Sequence, residues 1–263
     1  MAGVNVLVLR AAGINCDLET QYAFEQAGAS AQRIHINRLI ERKDLLDQFH
    51  ILVIPGGFSY GDDVAAGRIL ANQLIHHLED QIYRFIEQGR LVLGICNGFQ
   101  VLVKSGILPG LGGSKRQEHV SITWNDSGRY EDRWVYLEPQ GDRCVFLEPG
   151  RRLYLPVAHA EGKVVVSDQQ VLESLQQGGF IALKYVDQEG KEGPYPINPN
   201  GSVASIAALT DTTGRVLGLM PHPERFIHPT HHPHWTRLGR QIERDGMTIF
   251  SRAVQYVRQA FLS

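Results

Sequence analysis

The sequence predicts an α/β fold: an open, mostly parallel sheet with helices on both faces and a β-rich insertion in its middle. Three observations predict it. Short, nearly continuous apolar runs alternate with segments of helical spacing through roughly the first hundred residues, the signature of strands covered on both faces. The stretch from about residue 119 to 185 changes to short strand-like runs separated by turn residues. The end of the chain then returns to one more apolar strand and an amphipathic helix.

Val4-Asn-Val-Leu-Val-Leu9 reads as the first buried strand. Asp17 can cap a helix that carries Leu18 and Tyr22 on one face and stops at Gly28. Arg33–Ile36 is a second strand, and Leu39, Ile40, Leu45 and Leu46 suggest helical turns. Ile51–Ile54 is a third strand, cut off by Pro55-Gly-Gly57. Helical spacing follows at Ile69, Leu70, Leu74, Ile75 and Leu78, and again at Ile82, Phe85 and Ile86 before Gly89. Leu91–Ile95 is a fourth strand that runs at once into a helical pattern through Val101 and Leu102. In the middle, Val120–Trp124, Trp134–Leu137, Lys163–Val166, Ile181–Tyr185 and Val203–Leu209 read as strands, the last two separated by the turn Asn198-Pro-Asn-Gly201. Val216–Met220 is a further strand. Met247, Phe250, Val254, Val257 and Phe261 form one helical stripe. No internal repeat or linker-like stretch breaks the chain, so residues 1–263 are expected to form a single domain.

Composition narrows the function. The 263 residues are 43% hydrophobic and 21% charged, ordinary values for a globular protein with a sizeable core. A formal net charge of −2 lacks the basic excess of a nucleic-acid binder. No apolar run approaches the roughly 18 residues of a membrane span. Cys16, Cys96 and Cys144 are too scattered for a disulfide framework, which points to a reducing cytosol and a cytoplasmic protein working on small molecules.

Gly94-Ile-Cys-Asn-Gly98, between a buried strand and a helix, has the form of a nucleophile elbow with Cys96 at its apex. The sharp turn strains the nucleophile's backbone and leaves no room for side chains at the two glycines. Cys96 would sit at a helix N-terminus, where the dipole favours a thiolate, and the Asn97 N–H would be placed to donate to an oxyanion. Such a cysteine needs a base and the base an orienting partner. Met220-Pro-His-Pro-Glu224 supplies both. Each proline biases the preceding residue toward extended backbone, so a helix is excluded and His222 and Glu224 are expected to project together from an extended segment. After the third strand, Pro55-Gly-Gly-Phe-Ser-Tyr-Gly-Asp-Asp63 offers backbone N–H groups, that of Gly57 among them, for an oxyanion hole at the sheet edge where α/β folds bind ligands. Cys16 also precedes a helix but lacks elbow glycines. His228, His231, His232 and His234 form a His-rich loop without the carboxylate or cysteine partners of a zinc site, so no metal ligands are assigned.

A cysteine elbow, a strand-end Gly-Gly loop and a late His-x-Glu, in that order, resemble the class I (triad) glutamine amidotransferase family, which implies a flavodoxin-like open sheet. Within it, Gly13-Ile-Asn-Cys-Asp17, Gly56-Gly-Phe-Ser-Tyr-Gly-Asp62, Gly94-Ile-Cys-Asn-Gly-Phe-Gln100, His159-Ala-Glu-Gly162, Asn198-Pro-Asn-Gly-Ser202 and Met220-Pro-His-Pro-Glu-Arg225 are similar to the glutaminase subunits of phosphoribosylformylglycinamidine synthases. The resemblance covers about residues 4–226; 227–263 is a longer, His-rich C-terminal extension ending in a helix. It implies Cys96 as nucleophile, His222 as base and then acid, Glu224 as its orienter, and Phe58 and Gln100 as substrate-pocket residues. It also implies glutamine as substrate and no cofactor in this chain. ATP and Mg would sit on a large synthetase subunit, with a small accessory subunit in the same complex. Two other readings compete: a cysteine-elbow hydrolase or chaperone-like protein of the related flavodoxin-like superfamily, which would not need the His-Pro-Glu segment, and a non-catalytic regulatory module, which would not need the triad.

Overall fold

Strands without a polar face need neighbours and cover on both sides, and they take the centre of one nine-stranded sheet. A computed structural model of the protein describes residues 3–111, 119–239 and 242–262. Its strands are β1 (Asn5–Arg10), β2 (Ser30–His35), β3 (Ile51–Ile54), β4 (Leu91–Ile95), β5 (Val120–Trp124), β6 (Glu131–Pro139), β7 (Leu153–His159), β8 (Glu161–Val166), β9 (Ile181–Val186), β10 (Ile206–Thr210) and β11 (Val216–Leu219). The order across the sheet is β2-β1-β3-β4-β11-β10-β9-β6-β7, and β5 pairs with β8 in a separate two-stranded sheet. From β2 to β11 the pairing is parallel; from β11 to β7 it is antiparallel. Most of the β-rich middle therefore extends the main sheet. Every residue of β3, β4 and β11 is buried, whereas β2, at the edge, exposes most of its positions.

The helices are α1 (Asp17–Gln26), α2 (Ile36–Glu41), α3 (Arg68–Glu87), α4 (Asn97–Lys104), α5 (Gln169–Gln177), α6 (Trp235–Leu238) and α7 (Asp245–Phe261). α1 and α7 pack together, α1 on β1 and β2 and α7 on β7. α3 and α4 pack together, with α4 on β3, β4 and β11. The two helical patterns before Gly89 are one continuous helix, α3, burying Leu70, Leu74, Leu78, Ile82, Phe85 and Ile86. The terminal stripe is real as far as Val257; Phe261 leaves it and lies against the His50 ring.

Several expectations need correction. Ile36 opens α2 instead of closing β2, with the His35 ring accepting the N–H of Asn37. α1 turns Thr20, Ala23 and Phe24 inward, leaving Leu18 and Tyr22 exposed. Val203–Ser205 is a 3-10 turn ahead of β10, not part of the strand. β7 and α5 lie in stretches where the sequence pattern gave no element. Pro156 breaks the hydrogen-bonding potential of β7, which is tolerated because β7 is the last strand of the sheet.

Candidate active site

Parallel pairing of β4 with β11 decides where the site falls. Leu219 stands beside Ile95, so the residues just past both strands emerge side by side at the carboxyl edge. Cys96 follows β4 immediately, and its N–H donates to the Leu219 carbonyl at 2.7 Å. His222 follows β11 by three residues, and its N–H donates to the Pro156 carbonyl of β7 at 2.8 Å. The Ala158 carbonyl of the same strand lies 3.7 Å from Cys96 Sγ. The strand hidden from the sequence pattern thus holds both ends of the site.

The elbow has the predicted geometry. Cys96 adopts φ 51°, ψ −105°, a conformation that costs a non-glycine residue on the order of 1–3 kcal/mol and persists only where its surroundings enforce it. A Cβ on Gly98 would stand 1.8 Å from the Ile54 carbonyl oxygen, and one on Gly94 would stand 2.6 Å from that of Gly98. Gly98→Ala is therefore expected to push α4 away from β3 and destabilise the fold by roughly 1–3 kcal/mol or above, a loss readable as a lowered denaturant midpoint. An unchanged midpoint would mean that the elbow is looser than this contact requires.

His222 and Glu224 meet as expected, by a different local route. His222 is extended, but Pro223–Arg225 forms a 3-10 turn with proline at its start, where a fixed φ and a missing N–H are no handicap. The expectation of extended backbone through Glu224, with helical turns excluded, is corrected. The turn brings Glu224 Oε1 to 2.5 Å from His222 Nδ1, with both side chains buried. Burial alone would push the imidazole pKa down. The charges of Glu224 and Cys96, with hydrogen bonding to Cys16 and Cys96, outweigh it, and the pKa stands well above the ordinary histidine value. Nε2 has no hydrogen-bond partner of good geometry, so the thiols act on the ring from close range without locking it.

The Gly-Gly loop closes the opposite wall. Phe58 N–H donates to Gly13 O and Cys16 N–H to Gly56 O, with Gly57 at φ 140° between them. A Cβ there would come within 2.7 Å of the Asn15 nitrogen. The Asn97 side chain ties this loop to α4: its Oδ1 accepts Ser59 N–H at 3.1 Å, and its Nδ2 donates to Asp62 Oδ1 and Gln100 Oε1, each at 2.9 Å. Gln100 Nε2 in turn donates to the Glu161 carbonyl at 2.6 Å. Gly57, Phe58, Cys96, Gln100 and His222 all line one cavity of about 460 Å³, with Phe58 half exposed at its rim. Asn97 and Glu224 stand behind that lining.

The same cavity is lined by residues to which the sequence reading gave no role: Asp62, Trp124, Tyr130, His159, Glu161 and Arg225, together with Cys16. Cys16 caps α1, its Sγ accepts from Arg225 Nη2 at 3.3 Å, and burial pushes its thiol pKa up. It lacks the strained backbone of Cys96. His159 is buried, and burial with the neighbouring His222 charge lowers its pKa to about 3, so its ring is neutral. The quoted motifs around residues 13–17 and 159–162 already contained both residues; their convergence on one cavity required the fold. The His-rich loop packs His232 against Trp134, Tyr154 and Phe226.

A cysteine on a strand-to-helix elbow, beside a buried His–Glu pair at the carboxyl edge of a parallel sheet, is the arrangement of a triad glutamine amidotransferase. Comparison with known proteins agrees. Residues 3–257 match the CobB/CobQ-like glutamine amidotransferase domain. The phosphoribosylformylglycinamidine synthase subunit PurQ of Dehalococcoides mccartyi is 48% identical, over 98% of this chain and 100% of that protein. The protein of the same name from Methanococcus maripaludis is 39% identical, over 95% of this chain and 96% of its own length. A chain in the structure of PurLQS from Thermotoga maritima superposes with a TM-score of 0.73 at 28% identity, covering 97% of this chain and all of that one. The chain belongs to the CobB/CobQ-like glutamine amidotransferase family and, within it, to the PurQ subunits of phosphoribosylformylglycinamidine synthase.

Proposed function

We propose that this chain hydrolyses glutamine at Cys96 and passes the ammonia to a synthetase subunit that makes formylglycinamidine ribonucleotide from formylglycinamide ribonucleotide. The observation that carries the reading is the buried His222–Glu224 pair, with its imidazole poised beside a thiol on a strained elbow. His222 takes the Cys96 proton, and the thiolate attacks the glutamine amide carbon. Backbone N–H groups of Gly57 and Asn97 hold the oxyanion. Protonated His222 gives its proton to the amide nitrogen, the C–N bond breaks, and ammonia leaves behind a glutamyl thioester. Water, deprotonated by the same imidazole, then cleaves the thioester to glutamate and restores the thiol. Phe58 and Gln100 shape the pocket, Gln100 through its bond to the Glu161 carbonyl.

The names of its relatives, subunits of a synthase, support work inside a complex. ATP and Mg belong on the large synthetase partner, a small accessory subunit completes the assembly, and this chain carries no cofactor of its own. Transfer inside the complex also keeps ammonia from being protonated in bulk water, where it would lose its nucleophilicity. Among the described residues no helix is long and apolar enough to cross a membrane, and the three described cysteines are all free thiols, which suits the cytosol. The non-catalytic reading has no use for a buried, strained triad, and the general hydrolase reading has none for the late His-Pro-Glu segment.

Mixing the purified chain with its candidate synthetase, ATP, Mg and formylglycinamide ribonucleotide should give glutamine-dependent amidine formation with glutamate released in equal amount. An electrophilic glutamine analogue should label Cys96 alone by mass spectrometry. Labelling at Cys16 or Cys144 would count against the elbow, and amidine formation from added ammonia but not from glutamine would count against the glutaminase role.

A further inference from the structure

Cys16 is a second thiol beside the proposed catalytic imidazole, and the mechanism does not use it. Its Sγ, a nitrogen of His222 and a carboxylate oxygen of Glu224 lie within 4.8 Å of one another, the one such group of metal-donor side chains among the described residues. Two polar atoms of this group are buried without a hydrogen-bond partner, His222 Nε2 and Glu224 Oε2. Buried polar atoms left unpaired in a native site call for a ligand or a functional explanation. The catalytic cycle accounts for His222 Nε2; it gives Glu224 Oε2 no task.

We propose that Cys16, His222 and Glu224 form an inhibitory site for a thiophilic divalent cation of the zinc type. One sulfur, one nitrogen and one oxygen make up a mixed donor set suited to Zn²⁺, and two of the three ligand residues, Cys16 and His222, line the cavity through which the ion would enter. Ligand bonds of about 2.0–2.3 Å hold tetrahedral donors roughly 3.3–3.7 Å apart, so donors now within 4.8 Å of one another need only small side-chain shifts, and coordination through Nδ1 would open its hydrogen bond to Glu224 Oε1. The Asn15 carboxamide oxygen, 3.3 Å from Cys16 Sγ, stands beside the site as a further oxygen donor. Binding releases two protons to solvent, that of the Cys16 thiol as the S–Zn bond forms and the extra proton of the His222 imidazolium as the N–Zn bond forms. The adjacent Arg225 guanidinium opposes a second cation, but its Nε also faces Glu19 at 3.4 Å and its Nη2 supports a thiolate at Cys16. Occupancy takes the base and its orienting carboxylate together, so the cation switches turnover off while leaving Cys96 unbound.

The test uses Co²⁺ and Zn²⁺ on the full chain. Co²⁺ titration should show one equivalent bound with a sulfur-to-metal charge-transfer band. That band should persist in Cys96→Ser and vanish in Cys16→Ser and Cys16→Ala. Zn²⁺ should inhibit glutamine hydrolysis reversibly to chelator, and its midpoint should rise at least tenfold in Cys16→Ser. A band that follows Cys96 instead, or a Zn²⁺ midpoint unmoved by either Cys16 substitution, overturns the site. The binding readout needs no substrate, so failure of the glutaminase reading and failure of this inference are distinguishable. Circular dichroism on both Cys16 variants separates lost binding from lost folding.

Discussion

Cys96→Ala should abolish glutamine-driven amidine formation while leaving synthesis from added ammonia intact in the assembled complex. The sulfur is the only atom removed from the proposed glutaminase, and the synthetase chemistry needs ammonia whatever its origin. Removing the nucleophile of a comparable triad lowers turnover on the order of 10⁴–10⁶-fold, and the same scale is expected here. Folding should change by no more than about 1 kcal/mol. Alanine meets the same backbone strain as cysteine, and the side chain lost is small, with its Sγ making one long contact to the Ala158 carbonyl. Cys16→Ala is the paired control. Cys16 stands at the start of α1 on unstrained backbone with its thiol pKa raised by burial, so it is a poor nucleophile. Retained glutaminase turnover in Cys96→Ala together with lost turnover in Cys16→Ala would reassign the nucleophile and, with it, the mechanism.

How much of this arrangement a reader of the sequence can foresee depends on whether its cause is local. The parallel half of the sheet is legible because β3, β4 and β11 are buried along their whole lengths and so appear as uninterrupted apolar runs. The elbow is legible because its two glycines answer backbone contacts that any such turn creates. The His–Glu pair was legible as chemistry but not as geometry. Proline at the start of a 3-10 turn and proline after an extended residue obey the same local rule, and only the packing of Glu224 into the interior chooses between them. β7 was hidden because Pro156 argues against a strand unless the strand is known to lie at the sheet's end, a tertiary fact. The Asn97 network joins residues 59 and 62 of the Gly-Gly loop to 97 and 100 of α4 and to 161 at the start of β8, and no sequence spacing encodes it. Leu18 and Tyr22 misled for the opposite reason: on α1 the small and polar residues Thr20 and Ala23, with Phe24, face inward.

Glu224→Gln should slow glutamine hydrolysis by about 10²–10⁴-fold with little change in KM. Glu224 is buried behind His222 and does not line the cavity, so its loss acts on the base and not on substrate contacts. Glutamine keeps the shape, but its amide can present a donor to Nδ1 and so favour the wrong tautomer. It also removes the largest of the contributions that raise the imidazole pKa against burial. The consequence extends to stability. A histidine whose folded pKa lies above its unfolded value, about 6.5, contributes stability that is fully present below that value and lost as pH rises through the folded pKa. Wild type should therefore exceed the variant in unfolding free energy most on the acid side, with the gap narrowing as pH climbs past the raised folded pKa. Denaturant unfolding of both proteins across that range, alongside kcat at each pH, measures the two effects together. Parallel stability curves with a wild-type rate would remove Glu224 from the mechanism. Parallel curves with a slow rate would leave it a role in orienting the ring and none in charging it.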